Sequence, residues 1–182
     1  MRLPRWFRAF PRGHDVDRDA QLLYAQLVAQ ARAPAFYAAL GVPDSLDGRF
    51  EMLALHMFVA LRRLKQAGEE ALAQALFDAM FADMDRSLRE IGVGDLSVGK
   101  RVKEMARALY GRIAAYEAGL GASDDALLVE ALVRNLYGTV APPPAAAAAA
   151  LARYLRQAAE PGAAPPPWPA IPTPAFPTNA SP

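Results

Sequence analysis

The sequence predicts an all-α protein: a single compact domain of six to seven helices, followed by a disordered proline-rich C-terminal tail. Three observations carry this. Apolar residues recur at three- and four-residue steps over most of residues 15–160, the spacing that gathers them on one side of a helix. No stretch shows the two-residue alternation with β-branched enrichment that marks a strand. The 182-residue chain is 53% hydrophobic and 21% charged, enough for a real core, until residue 161, after which nine of 22 residues are proline and none is charged.

Residues 1–14 carry Arg2, Arg5, Arg8 and Arg12 and no acid, interleaved with Leu3, Trp6, Phe7 and Phe10. Such a mixture suits an anionic membrane surface, and Pro4 and Pro11 make a frayed or core-docked end the simpler expectation. A first helix is expected over residues 17–32, with Leu22, Leu23, Leu27 and Val28 as its stripe, Tyr24 at the flank and Pro34 as its stop. A short helical turn through Phe36, Tyr37 and Leu40 follows. After the break at residues 41–45, Asp44 or Ser45 can accept a first-turn N–H. On the helix so started, Phe50, Leu53, Met57, Leu61 and Leu64 mark one face, and Met52, Leu55, Phe58 and Val59 widen it until the helix must be central.

Gly68 separates that helix from the next, over residues 69–91, with Phe77, Met80, Phe81, Met84, Leu88 and Ile91 as its stripe. Gly92 and Gly94 can take positive φ and end it, and Asp95 or Ser97 can cap its successor. There Val98, Val102, Met105, Leu109, Ile113 and Tyr116 face the core, and the two helices are expected to form a hairpin. Gly99 and Gly111 lie inside the second, where each costs about 1 kcal/mol relative to alanine, so close approach of a neighbour is the expected compensation. Ser123 or Asp124 then caps a helix bearing Leu127, Leu128, Ala131, Leu132, Asn135 and Leu136. Prolines 142–144 mark a boundary. Residues 15–140 are read as the domain, 141–160 as a peripheral alanine-rich helix, and 161–182 as the tail. In the tail Trp168, Ile171 and Phe176 are apolar stickers, with an unstructured, unpartnered tail as the expectation.

Twenty basic and 19 acidic residues leave a net charge of +1, and the basic N-terminus leaves the remainder net acidic, so no nucleic-acid partner is expected. Lys100, Lys103 and Arg107 share one helical face, with Arg101 and Arg112 around the barrel from them. A solvated surface is the ordinary reading of such a run, and a docking surface for an acidic partner the sharper one. With Asp85 and Arg86 on the preceding helix, these are the candidate partner-binding residues. Asp83 and Asp85 diverge by about 200° and make no acid–base pair, and surface pairing accounts for Asp78, Asp85 and Arg86.

Cysteine is absent and only His14 and His56 are present, which excludes disulfides and thiolate sites and leaves a transition metal almost without ligands. No nucleophile elbow, phosphate loop or dinucleotide fingerprint occurs. The chain is therefore read as non-enzymatic and without a cofactor. His56, in FEMLALHMFVAL, is expected to be a satisfied core histidine, with a haem ligand as the alternative. The longest apolar run, residues 50–61, falls short of the roughly 20 residues that span a bilayer. Alanine and proline richness suggests a bacterial cytoplasmic protein, peripheral at most at the inner membrane, or a matrix protein if mitochondrial.

Four strings say more. They are Leu46, Asp47, Gly48, Arg49 and Phe50; Met84, Asp85 and Arg86; Gly92, Gly94 and Asp95; and Tyr110, Gly111 and Arg112, followed by Tyr116. On these, residues 36–120 resemble the ubiquinol–cytochrome c chaperone family, whose mitochondrial members help assemble the cytochrome bc1 complex. The resemblance implies an all-α assembly chaperone that holds newly made cytochrome b, or another bc1 subunit, and works with a small partner subunit. Such a holdase needs exposed apolar surface and an orienting charge pattern. The wide helix at residues 50–64, Met52, Met57, Met80, Met84 and Met105, and the basic face suit that role, although methionine stripes are more often core. A helical scaffold or regulatory module unrelated to bc1 is the alternative from another class.

Overall fold

The computed structural model describes residues 14–138, 143, 145–160 and 168–172. Among these residues seven helices follow one another: α1 (His14–Ala31), α2 (Pro34–Ala38), α3 (Leu46–Gln66), α4 (Glu70–Glu90), α5 (Asp95–Gly121), α6 (Ala126–Leu136) and α7 (Ala145–Ala159), with no strand. The membrane-surface reading of residues 1–13 and the tail reading beyond residues 168–172, Phe176 included, lie outside the described residues.

α3 is the central helix, packed by α1, α4, α5, α6 and α7. Every residue from Glu51 through Leu61 is buried, as is Leu64, which is what an apolar circumference this wide requires. Its start is set by Ser45, whose hydroxyl accepts the Gly48 N–H at 3.1 Å. Gly48 itself has no alternative, because a Cβ there would lie 1.9 Å from the Pro43 carbonyl oxygen. α1 lies against α3 and α4 through Leu23, Tyr24 and Leu27, while Leu22, counted in the predicted stripe, turns outward.

α4 and α5 form the expected hairpin, with Phe77 and Tyr110 stacked at 5.9 Å. Gly92 ends α4 at φ +85°, whereas Gly94 is extended at φ −62°. Neither Asp95 nor Ser97 caps α5: Gly94 is the N-cap, and its carbonyl accepts from Ser97 and Val98 at 2.8 and 3.2 Å. Among the described residues the compensation expected at Gly99 and Gly111 is absent, since a Cβ at either would meet nothing within 4 Å. At the start of α6 the N-cap is Asp125, and Asp124 accepts the Ala126 N–H at 2.9 Å.

One reading of the C-terminal third is corrected. α7 is no peripheral helix: Ala147, Ala148, Ala150, Leu151, Ala152, Tyr154, Leu155, Ala158 and Ala159 are all buried, most of them alanines, which let α7 approach α3 and α6 closely. Within the proline-rich stretch, residues 168–172 fold back on the domain. The Trp168 ring lies 4.9 Å from that of His56, edge to face, and Ile171 packs against the core.

Candidate functional site

The apolar stripes of α4 and α5 do not stay in the core to their ends. Phe77 and Met80 are buried, but Met84 and Leu88 are half-exposed and Ile91 is 69% exposed; across from them Met105 on α5 is half-buried. With Leu46, 80% exposed at the start of α3, and half-buried Phe50, they line a groove of about 860 Å³. Tyr24 and Val28 of α1, Arg32 just past its end, and Arg134 and Asn135 of α6 complete its walls. Periodicity alone cannot tell a stripe that is covered from one that runs off the core, and here the uncovered ends of two stripes meet.

The groove has an ionic floor. Arg112 donates through Nε and a terminal nitrogen to the two Glu51 carboxylate oxygens, and its other terminal nitrogen donates to the Ala108 carbonyl at 2.9 Å. Glu51 is 7% exposed. The Glu51 hydrogen bond raises the Arg112 pKa and keeps the guanidinium charged, and its carbon sits 5.8 Å from the Phe50 ring centre. On the opposite wall the Tyr24 hydroxyl donates to Asp83 at 2.9 Å. Burial, then that carboxylate, drives the Tyr24 phenol far above its usual range, so it stays a donor.

The predicted partner-binding residues divide. Lys100, Arg101, Lys103 and Arg107 are exposed along α5, and Arg101 reaches the groove lining. Arg112 is instead consumed by Glu51, so it shapes the groove from below. Asp85 pairs with Arg89 at 2.6 Å, which lowers its pKa, and Arg89 reaches on to Asp95, tying the end of α4 to the start of α5. Arg86 approaches Asp83 at 3.8 Å.

The family-motif residues divide in the same way. Leu46, Asp47, Gly48, Arg49, Phe50, Met84 and Arg112 all line the groove. Arg49 also pairs with Asp44 at 2.6 Å. Gly94 and Asp95 form the elbow, Gly111 is exposed, and Tyr110 and Tyr116 pack inward, Tyr116 fully buried against Phe58 at 5.5 Å. Glu51, Arg32 and Asn135 were missed. Glu51 lies in an apolar run with nothing local to show its partner, and the other two, Arg32 just past α1 and Asn135 on α6, come from distant stretches of the sequence.

His56 is the satisfied core histidine. Nδ1 lies 2.7 Å from the Met52 carbonyl, which can only accept, so Nδ1 carries the proton and Nε2 accepts from the Tyr154 hydroxyl at 2.9 Å. The Tyr154 oxygen accepts in turn from Gln30 at 3.1 Å. Burial brings the His56 pKa down to about 4. Both ring nitrogens are committed, which leaves none to ligate iron. Among the described residues no cluster of three or more metal-binding side chains occurs, and no helix is long and apolar enough to cross a membrane.

Comparison with known proteins converges on one family. Residues 38–161 match the family described as ubiquinol-cytochrome C chaperone. The chain is 27% identical over 116 residues to the ubiquinol-cytochrome-c reductase complex assembly factor 1 of Xenopus laevis, covering 63% of this chain and 58% of that one. It is 26% identical over 117 residues to the Homo sapiens protein of the same name, where the match covers 39% of the relative. The chain thus spans between about two fifths and three fifths of these relatives. The crystal structure of a Cbp3 homolog from Brucella abortus superposes with a TM-score of 0.68 at 44% identity, covering 79% of this chain and 80% of that one. The matched region reaches past residue 120 to include α6 and α7, in keeping with the burial of α7. These are chaperones and assembly factors, not enzymes, and the chain belongs to the ubiquinol-cytochrome C chaperone family.

Proposed function

We propose that the protein is an assembly chaperone of the ubiquinol–cytochrome c reductase complex and that it holds an apolar segment of newly made cytochrome b in the groove between α1, α3, α4, α5 and α6. The observation that carries this is the meeting of Leu46, Met84, Leu88, Ile91 and Met105 at one concave surface that the described residues leave uncovered. A groove that mixes apolar side chains with charged ones on its walls and floor suits an amphipathic segment and resists self-association better than a flat apolar patch would. Lys100, Arg101, Lys103 and Arg107 extend from one rim without an ion pair among the described residues, and they orient a client whose flank is acidic.

In this reading the Glu51–Arg112 pair holds the groove open, and Asp85 and Arg86 border the α4 rim. A small partner subunit, as the family resemblance implies, would share the work. The protein acts in the bacterial cytoplasm at the inner membrane, or in the matrix if mitochondrial. The test is affinity purification of the tagged protein from its own membranes, with a photoreactive residue in place of Ile91. Cytochrome b crosslinked at that position supports the reading. Recovery of soluble proteins alone, with bc1 levels unchanged on gene deletion, would replace it with a helical scaffold.

A further inference from the structure

The segment that folds back at residues 168–172 does so at one particular place. Phe36 from α2, His56 from α3 and Tyr154 from α7 form a closed ring of aromatic contacts, with centroids 5.4 Å (Phe36–His56), 5.2 Å (Phe36–Tyr154) and 5.8 Å (His56–Tyr154) apart. The first two meet edge to face, and so does Trp168 against His56 at 4.9 Å. The imidazole is held against rotation at both nitrogens, by Met52 and by Tyr154, so it presents a fixed face.

Beside it, Trp168, Pro169, Ile171 and Pro172 are half-buried and only Ala170 is exposed. Prolines on either side of Ala170 and Ile171 keep the segment extended, so little conformational freedom is lost when it seats. The segment is not welded down: the Trp168 indole Nε1 is buried without an acceptor among the described residues, which works against the docked state.

We propose that Phe36, His56 and Tyr154 form a recognition slot for a tryptophan–proline segment, and that residues 168–172 of the same chain are its resident occupant, a releasable strap joining α7 to α3. The slot lies on the α2–α3–α7 side, and none of its three residues lines the groove proposed for the client. A segment seated by one aromatic anchor, and opposed by an unsatisfied N–H, exchanges between docked and free states and yields its seat to a competitor of like chemistry.

Two tryptophans, Trp6 and Trp168, make the test direct. In the full-length Trp6→Phe protein, Trp168 is the sole emitter. Docking gives a blue-shifted emission and acrylamide quenching several-fold weaker than in the urea-unfolded chain; free-tryptophan emission with full quenching would overturn the proposal. That measurement needs no change in the slot. Next, a synthetic peptide of residues 161–182 is titrated, by anisotropy of an attached dye, into wild-type and Trp168→Ala proteins of matched helical circular dichroism. Binding at least tenfold tighter to the variant, abolished by adding Tyr154→Ala, is the expected result. Equal binding to both proteins, or none to the variant, overturns a recognition slot.

Discussion

Arg112 of α5 grips both carboxylate oxygens of Glu51 on α3, across 61 residues of sequence, and the pair forms the floor of a groove lined by apolar and charged side chains together. Neither partner is isolated, since Arg112 also reaches the Ala108 carbonyl and lies beside Phe50. A buried pair of this kind has little net value against an apolar substitute, but either charge left alone is costly.

Removing one partner should therefore hurt more than removing both. Arg112→Leu or Glu51→Leu alone is expected to cost about 3–5 kcal/mol. The double variant should cost clearly less than the sum of the two, because no orphaned charge remains. Urea unfolding of the four proteins checks this; additive losses would mean that the pair does not act as a unit.

Two glycines of the family motifs should respond to alanine with opposite signs. At Gly48 the new Cβ meets the Pro43 carbonyl at 1.9 Å, backbone against helix start, and a loss of about 3 kcal/mol is expected. At Gly111 the Cβ enters open space on an exposed helical face, and a gain of about 0.5–1 kcal/mol is expected. Melting temperatures of Gly48→Ala and Gly111→Ala read both directly.

His56 predicts a pH dependence. Burial holds it neutral, with a folded-state pKa of about 4 against an ordinary 6.5, so between those values the unfolded chain binds a proton that the folded chain refuses. Its contribution is intact above pH 6.5 and falls as the pH drops, reaching a loss of about 3 kcal/mol near pH 4. Comparing the stability of wild type and His56→Gln between pH 7 and 4.5 isolates that share. A slope unchanged in the variant would assign the titration to other groups.

The surface readings are tested apart from the fold. Reversing charge at Lys100, Lys103 and Arg107, all exposed, should leave helical circular dichroism and melting nearly unchanged while weakening client capture in a salt-dependent way. Leu46→Asp and Ile91→Asp should also fold normally and lose capture, because they place charge in the groove without touching the core. Unfolding of either set would make those residues structural.

Helical periodicity and capping chemistry made the helices legible, because each depends on neighbours three or four residues away: Ser45 caps α3 as its position suggests, and Gly92 turns the chain where the stripe ends. The width of the apolar face on α3 likewise announced a central helix, and the family strings named the family. The site was half visible. The exposed cations of α5 could be read directly, and of them Arg101 lines the groove, but a stripe that leaves the core looks in sequence like one that stays, so Met84, Leu88, Ile91 and Met105 read as interior.

Only the tertiary structure decided which side chains found partners. It spent Arg112 on Glu51, closed the ring of Phe36, His56 and Tyr154, buried the alanines of α7, and seated Trp168 on His56. The physical reason is one of range. Helix formation is written in local spacing, whereas burial, ion pairing and docking depend on residues brought together from distant positions by packing, and no local pattern records that meeting.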